Sequence, residues 1–177
     1  MTNTDREAAV DAVDTLNDLI GDLVAGTRVL SDYIQGHKAN QVAPQQMVAV
    51  QKMCLSHLVL GLNKISEFWE RYHQCVPPAF RAEVKSLNRD LKAKQVSELR
   101  NGVVAHVWDR KLQRARRHSE IMAQLDVMIG GDMGDFLRWI NNPNDNAYPK
   151  TVLSVVEGVR DAIAEQHAIT PGEIVDR

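Results

Sequence analysis

Apolar side chains recur at alternating spacings of four and three residues over much of the chain, which is typical of helices that bury one side. The longest such pattern, over residues 5–35, consists of Ala9, Val13, Leu16, Ile20, Leu23, Thr27, Leu30 and Ile34. After a predicted loop over residues 36–44, Pro44 suits the first turn of a second helix that runs to about Cys75. Its apolar side is formed by Met47, Val50, Cys54, Leu58, Leu62, Ile65, Trp69 and Tyr72. We therefore expect two long antiparallel helices at the N-terminal end of a bundle.

Shorter helical patterns follow, separated by breaks in the sequence. They cover residues 80–91, 96–118, 121–129, 136–140 and 151–166. Turns or loops are marked by Pro77-Pro78, by Gly130-Gly131 and by the Asn- and Pro-rich segment 141–149, and Ser119 is the predicted N-cap of the helix at 121–129. No sustained alternation of apolar and polar residues predicts a strand. The sequence thus predicts a single all-α domain over residues 1–177, an irregular bundle of five to six helices.

Composition narrows the class of protein without indicating a function. The chain has 177 residues, 44% of them hydrophobic, and a formal net charge of -2. That charge excludes a protein that binds nucleic acid over its whole surface, so a nucleic-acid site must be a local patch. There is no run of about 18 apolar residues that predicts a membrane span. The first five residues lack the basic start and apolar core of an export signal, so we expect a cytoplasmic protein.

Cysteine and histidine spacing gives no sign of a metal site. Cys54 and Cys75 fall in the second predicted helix about 30 Å apart, so both are expected to be buried, reduced thiols. The six histidines and two cysteines show no spacing typical of zinc ligands, and the chain has no P-loop. No metal and no other cofactor is therefore expected. Trp69, Trp108 and Trp139 are assigned to the core, although Trp108 lies close enough to the motif described next that base stacking is an alternative for it.

Residues 99–109 combine chemistry-bearing side chains with an apolar side. The apolar members recur at helical spacing and are Val103, Val104, Val107 and Trp108. Arg100, Asn101 and His106 are placed at the edge of that side. Arginine keeps its proton under ordinary conditions and histidine changes charge near neutral pH, so the pair suits chemistry on a phosphate. On spacing alone, an Arg and a His that are merely solvated or hydrogen-bonded remain the favoured interpretation.

The stretch Leu99-Arg100-Asn101-x-x-x-Ala105-His106-x-x-Asp109 resembles the signature of the HEPN superfamily, the higher eukaryote and prokaryote nucleotide-binding domains. Members carry an Arg, often followed by a polar residue, and a His a few residues later. The resemblance implies an all-α, dimeric, metal-independent endoribonuclease with Arg100 and His106 as the catalytic pair and Asn101 as their polar partner. The Leu-Arg-Asn opening and Ala-His close are similar to a subgroup of toxin–antitoxin and phage-defence systems. That similarity implies an antitoxin partner, for example of the nucleotidyltransferase type.

The resemblance also bears on the interpretation of two other parts of the sequence. Many members carry an acidic residue near a basic one on the preceding helix, and Glu67-x-x-x-Arg71 is the counterpart here, although a surface salt bridge is the favoured interpretation of that pair. Several toxins carry a tyrosine two residues after the His, which the antitoxin modifies with nucleotides. This chain has Trp108 at that position, which offers no hydroxyl, so silencing by that route is not expected.

RNA carries its own nucleophile, the 2′-hydroxyl, so a cleaving protein needs only to move protons and to stabilise negative charge. His106 would act as general base or, when protonated, as acid, and Arg100 would donate to the phosphate oxygens. On an ideal helix the two residues lie about 120° apart around the axis and about 9 Å along it. Two copies of this edge at a twofold axis would supply two Arg and two His to one cleft, so we expect a composite site at a dimer interface.

The residues after the motif are strongly basic. Arg110, Lys111, Arg114 and Arg117 are predicted to bind the RNA backbone, with three of them on one side of a continuous helix; a solvated helix surface is an equally good interpretation. Two other functions stay open. One is a non-catalytic helical module for dimerisation or for binding RNA or nucleotides, and the other, which rests only on the basic run, is a DNA-binding protein.

Overall fold

Two long antiparallel helices form the centre of the structure, a computed structural model that describes residues 3–104 and 113–172, with only the backbone described at residues 3, 4, 103, 104 and 118. Within those ranges the α-helices are α1 (Asn3–Lys38), α2 (Pro44–Tyr72), α3 (Arg81–Ala93), α4 (Val96–Leu99), α5 (His118–Ile129), α6 (Met133–Ile140) and α7 (Val152–His167). A 3₁₀ turn (Pro78–Phe80) precedes α3, and a π-helical turn (Arg100–Val104) follows α4. The all-α class is confirmed, and separate short helices at α4 and α6 bring the number described to seven.

The predicted apolar side of α1 faces the centre of the bundle. Its members from Ala9 to Leu30 are buried apart from Ile20, which is partly buried like Ile34 at the end of the pattern. Helix α1 packs against α2 and, on another side, against α7. Each buried Leu or Val side chain contributes about 1.5–3 kcal/mol through removal of apolar surface from water. The packing of α1 therefore contributes substantially to the stability of the fold.

Helix α2 packs closely against α1 at a glycine. A Cβ built at Gly26 would lie 2.8 Å from Cδ2 of Leu58, so only a residue without a side chain fits against this leucine. Farther along the same contact, Leu23 packs over Gly61. At the edge of the contact Lys64 Nζ donates to Asp22 Oδ2 at 2.9 Å, an ion pair exposed enough to add little to stability.

Helix α2 begins at Pro44, as expected, but ends at Tyr72, earlier than the sequence indicates. Cys75 therefore lies in the turn after α2 and not in the helix. Both cysteines are buried and free, which confirms the expected thiols, and burial raises the pKa of each. Among the residues that the structure describes, no helix is long and apolar enough to cross a membrane.

A half-buried lysine joins the end of α3 to the hairpin of α5 and α6. Lys94 Nζ donates to the carbonyl oxygen of Met128 at 2.9 Å and lies 4.8 Å from the ring centroid of Trp139. Burial lowers the pKa of this ammonium group. The carbonyl belongs to the last turn of α5, where a cation also opposes the negative end of the helix dipole. Trp139 thus serves the packing of α6, in agreement with its assignment to the core.

The expectation of one continuous helix over residues 96–118 is wrong in the parts described. Helix α4 ends after one turn, the chain continues as a π-helical turn, and residues 113–117 are not helical. Gln95 (φ 53) and Gln113 (φ 52) have left-handed backbone conformations, which stop a right-handed helix. Ser119 is not the N-cap of α5 either, because the helix begins at His118 with Arg117 in the capping position.

We predict opposite effects of the same substitution at two glycines of α1. In Gly21→Ala the new methyl group meets open space, so the free energy of unfolding rises by about 0.5–1 kcal/mol from helix propensity. In Gly26→Ala the methyl overlaps Leu58, and overpacking of about 1–3 kcal/mol outweighs that gain. Urea denaturation of the two variants checks this. Equal stabilisation by both would show that α1 and α2 are farther apart than described.

Candidate functional site

The candidate site lies where the π-helical turn after α4 packs against α2. Arg100 Nη1 donates to Asn101 Oδ1 at 2.8 Å, so the two motif residues are joined directly. Arg100 Nε is buried and has no hydrogen-bond partner. Among the described residues no carboxylate is within ion-pair distance of Arg100. The fold therefore holds the charge of this guanidinium without neutralising it, which favours an anion at its accessible end.

A buried amide connects the turn to α2. Asn63, only 8% exposed, donates through Nδ2 to Glu67 Oε1 at 2.7 Å and accepts at Oδ1 from the hydroxyl of Ser97 at 2.9 Å. The buried amide is satisfied on both sides, as a polar group in a core must be. Ser97 precedes Arg100 by three residues on adjoining turns. The link therefore fixes where the motif begins relative to α2.

The salt bridge between Glu67 and Arg71 that the sequence indicated does not form. Glu67 is bound by Asn63 instead, and Arg71 lies 5.4 Å from the ring centroid of Tyr72. The acidic residue on the preceding helix is thus connected to the motif through Asn63 and Ser97.

Gly102, in the π-helical turn, permits the close approach of another side chain. The glycine is buried, and a Cβ built on it would overlap the guanidinium of Arg116. The Arg116 guanidinium thus lies against Gly102 of the π-helical turn. Two arginines, one from the motif and one from the segment before α5, are brought to the same turn although 16 residues separate them in sequence.

The basic segment is organised differently from the predicted helical stripe. Arg114 makes a paired contact with Glu120, through Nη1 to Oε2 at 2.9 Å and Nη2 to Oε1 at 2.6 Å, and Glu120 Oε2 also accepts from the backbone N–H of Arg117 at 2.7 Å. The charge of Arg114 is therefore largely compensated, whereas Arg117 is exposed. Arg110 and Lys111, the other two predicted RNA-binding residues, lie outside the described residues.

The second half of the motif, including His106, Trp108 and Asp109, also lies outside the described residues. The separation of about 120° and 9 Å between Arg100 and His106 assumed an ideal α-helix. That assumption is wrong for the first five residues of the interval, because Arg100–Val104 form a π-helical turn with i→i+5 hydrogen bonds. Such turns are rare in proteins, and those that do occur are often found at functional sites. The position of this one is therefore informative.

Sequence reasoning missed three side chains of this region: Asn63, Ser97 and Arg116. Asn63 could have been found, because it follows Val59 by four residues and so interrupts an apolar row of α2 with an amide. Ser97 and Arg116 carry no such signal, since their roles depend on where the π-helical turn lies. Within the described ranges, no group of three or more His, Cys, Asp or Glu is arranged to hold a metal ion.

No protein-family model and no curated protein sequence matches the chain. In three dimensions it is similar to a solved structure described as the integron cassette protein Vpc_cass2, from the mobile metagenome of V. paracholerae. The TM-score is 0.74 at 26% sequence identity, and the match covers 88% of this chain and 95% of the cassette protein. The likeness extends over nearly the whole of both chains, so the helical arrangement described above recurs in the cassette protein.

We predict that Glu120 titrates far below a free glutamate. Its contacts with Arg114 and the Arg117 backbone lower its pKa from 4.5 to about 2. Because the folded value is depressed, the stabilisation from this contact is fully present above pH 4.5 and is lost as the pH falls towards 2. Carbon-detected NMR of the side-chain carboxyl measures the pKa. In Arg114→Ala it should return towards 4.5, and an unchanged value would contradict the contact.

We further predict that Gly102→Ala displaces Arg116 at little cost in stability. The clash falls on the far end of a flexible side chain, which can swing into solvent, so the free energy of unfolding should change by less than about 1 kcal/mol. Modification by phenylglyoxal, mapped by mass spectrometry, should increase at Arg116. Gly21→Ala, where the new methyl meets nothing, is the matched control. Equal modification of Arg116 in both variants would refute the close approach.

Proposed function

We propose that this protein is a metal-independent endoribonuclease that cleaves RNA by attack of the 2′-hydroxyl on the neighbouring phosphate. The observation that carries the proposal is Arg100, which is bonded to Asn101, free of any described carboxylate, and left with a buried Nε that has no partner. An unsatisfied charged donor costs more than about 1–3 kcal/mol, a cost that a phosphate bound nearby would offset. The resemblance of the motif to HEPN proteins supports the same function.

In the proposed reaction, neutral His106 takes the proton of the 2′-hydroxyl while this oxygen forms a bond to phosphorus. The bond from phosphorus to the 5′-oxygen breaks, and a protonated histidine returns a proton to that oxygen. Arg100 donates to the non-bridging oxygens, whose negative charge grows in the transition state. Asn101 holds the guanidinium in place and orients the scissile phosphate. The products are a 2′,3′-cyclic phosphate and a 5′-hydroxyl, and no metal or cofactor takes part.

Removal of the 2′-hydroxyl proton and protonation of the 5′-oxygen in a single concerted step require one neutral and one protonated histidine. A second copy of the chain at a twofold axis would supply the second histidine and a second Arg100 to one cleft. We therefore propose a homodimer with a composite site. This assignment rests on the chemistry of the reaction and on the family resemblance, and it predicts a mass in solution twice that of the chain, 19.9 kDa.

As its biological role, we propose that the protein is a toxin or phage-defence component. It would act in the cytoplasm and be restrained by an antitoxin, for example a nucleotidyltransferase-type protein. The support is the motif resemblance and the structural likeness to a cassette protein of a mobile metagenome. Trp108 in place of a tyrosine indicates that such a partner would act without modifying that position.

We predict that the purified protein cleaves RNA in the presence of EDTA and that Arg100→Ala and His106→Ala each lower the rate by about 10²-fold or more, because each removes charge stabilisation or proton transfer. Chemical typing of the new ends should find cyclic or 3′-phosphates. Arg28→Ala and His37→Ala remove an exposed residue of the same type from α1 and should leave the rate unchanged.

Circular dichroism and thermal melts establish that each variant is folded. Binding of RNA without cleavage by the folded wild type would favour the non-catalytic RNA-binding module. Equal cleavage by the wild type and both motif variants would place the activity elsewhere and overturn the assignment of Arg100 and His106. Binding of duplex DNA in preference to RNA would favour the DNA-binding protein.

A further inference from the structure

An open groove lies between helices α2 and α3 on the surface of the bundle. Its volume is about 560 Å³, within the range of sites that bind small molecules or a few nucleotides. Helix α2 contributes Ser66, Trp69 and Glu70, and α3 contributes Ala82, Lys85, Asn88, Arg89 and Lys92. None of these residues belongs to the motif or to the basic segment after it, and no motif in the sequence groups them.

The α3 side of the groove is a row of cations. Lys85, Arg89 and Lys92 follow one another at spacings of four and three residues, which places them on one face of the helix. All three are exposed, and in the described structure none forms an ion pair; Arg89 Nη2 has only a contact of 3.4 Å with the hydroxyl of Ser86. Glu70 is the one carboxylate in the lining. The row therefore presents positive charge to an anionic ligand, on a protein whose net charge is -2.

The α2 side of the groove offers an aromatic surface. Trp69 is half-buried, packs partly against the core, and has its ring 5.7 Å from that of His73. Such a ring is held in place by the protein and is accessible to a planar ligand from the groove. Asn88 uses its Nδ2 to donate to the Val84 carbonyl at 3.0 Å, which leaves its Oδ1 as an acceptor for a base edge. Cations that follow a backbone and an aromatic ring for stacking are the combination that binds single-stranded nucleic acids.

We propose that this groove binds single-stranded RNA, with successive phosphates on Lys85, Arg89 and Lys92 and a base stacked on Trp69. A duplex would keep its bases stacked on one another and away from the ring, so a single strand is the occupant that uses both sides of the groove. An acidic peptide would engage the cations and leave the tryptophan without a partner of matching shape.

The position of the groove connects it to the candidate site. On α2, Ser66 follows Asn63 by three residues and Glu70 follows Glu67 by three, which makes each pair neighbours on the helix surface. A strand bound in the groove thus runs beside the link that joins α2 to Arg100. The choice of RNA as substrate rests on the proposed function, whereas binding in the groove does not require cleavage.

Fluorescence anisotropy with a labelled 2′-O-methyl oligouridylate of about ten nucleotides tests the proposal, because this probe cannot be cleaved and binding is measured alone. The triple variant Lys85→Gln, Arg89→Gln, Lys92→Gln should bind at least about tenfold more weakly, and the slope of log affinity against log salt should fall by about 2. The control triple variant Arg28→Gln, Lys38→Gln, Lys52→Gln removes three exposed cations elsewhere and the same net charge.

A second pair of variants tests the stacking. Trp69→Leu should weaken binding about tenfold, and Trp69→Phe should retain most of it because a ring remains. Thermal melts separate loss of binding from loss of fold. The proposal is overturned if the groove triple variant binds like the control triple variant, or if poly-glutamate of equal charge displaces the probe as well as unlabelled oligouridylate does.

The outcomes for the groove and for the cleavage are distinguishable. If Arg100→Ala abolishes cleavage while the groove variants bind normally, the groove proposal fails and the nuclease stands. If the wild type binds the probe through the groove but never cleaves RNA, the nuclease fails and the groove stands as the site of a binding module.

Discussion

The packing of α1 on α2 determines the position of nearly every other helix. Helices α6 and α7 pack on α1, α3 and α4 pack on α2, and α5 is held through α4 and α6. The contact depends on continuous apolar rows and on two glycines that let the backbones approach, one of them against Leu58. Burial of apolar surface has no preferred direction and requires no particular chemistry. The polar residues of the motif can therefore be arranged for a task other than stability.

This difference between apolar packing and polar chemistry explains which parts of the fold were predictable from sequence. Helices α1, α2, α3 and α7 have apolar rows long enough to show their period, and the structure confirms them. The π-helical turn at Arg100 and the non-helical residues before α5 have no such signature, because a helix pattern records which side is buried and not which hydrogen bonds close each turn. The glutamines at positions 95 and 113 carry no sequence mark of a left-handed conformation, which is more often occupied by glycine or asparagine.

The candidate site was predictable to a similar, partial degree. Arg100 and Asn101 were identified through a local motif, and the structure joins them by a hydrogen bond. Their neighbours come from α2 and from the segment before α5, at distances along the chain that no motif spans. The row on α3 was overlooked for a different reason: its cations are spaced along a helix, whereas the denser run at 110–117 attracts attention as a block. Density in sequence was a poor guide to exposure, because Arg114 turns out to be paired with Glu120.

The cations named above among the described residues differ in whether the fold gives them a partner, and the difference bears on function. Arg114 and Lys64 have carboxylate partners, and Lys94 is held by a carbonyl and two aromatic rings, so each has a structural partner that satisfies it. Arg100 and the row on α3 have no carboxylate partner in the described structure. Unpaired like charges repel one another and lower stability slightly. Such charges are retained where a ligand of opposite charge becomes their partner. Both belong to elements that pack against α2: the row lies on α3, and Arg100 lies in the π-helical turn. A single polyanion that contacted both would therefore have to lie close to α2.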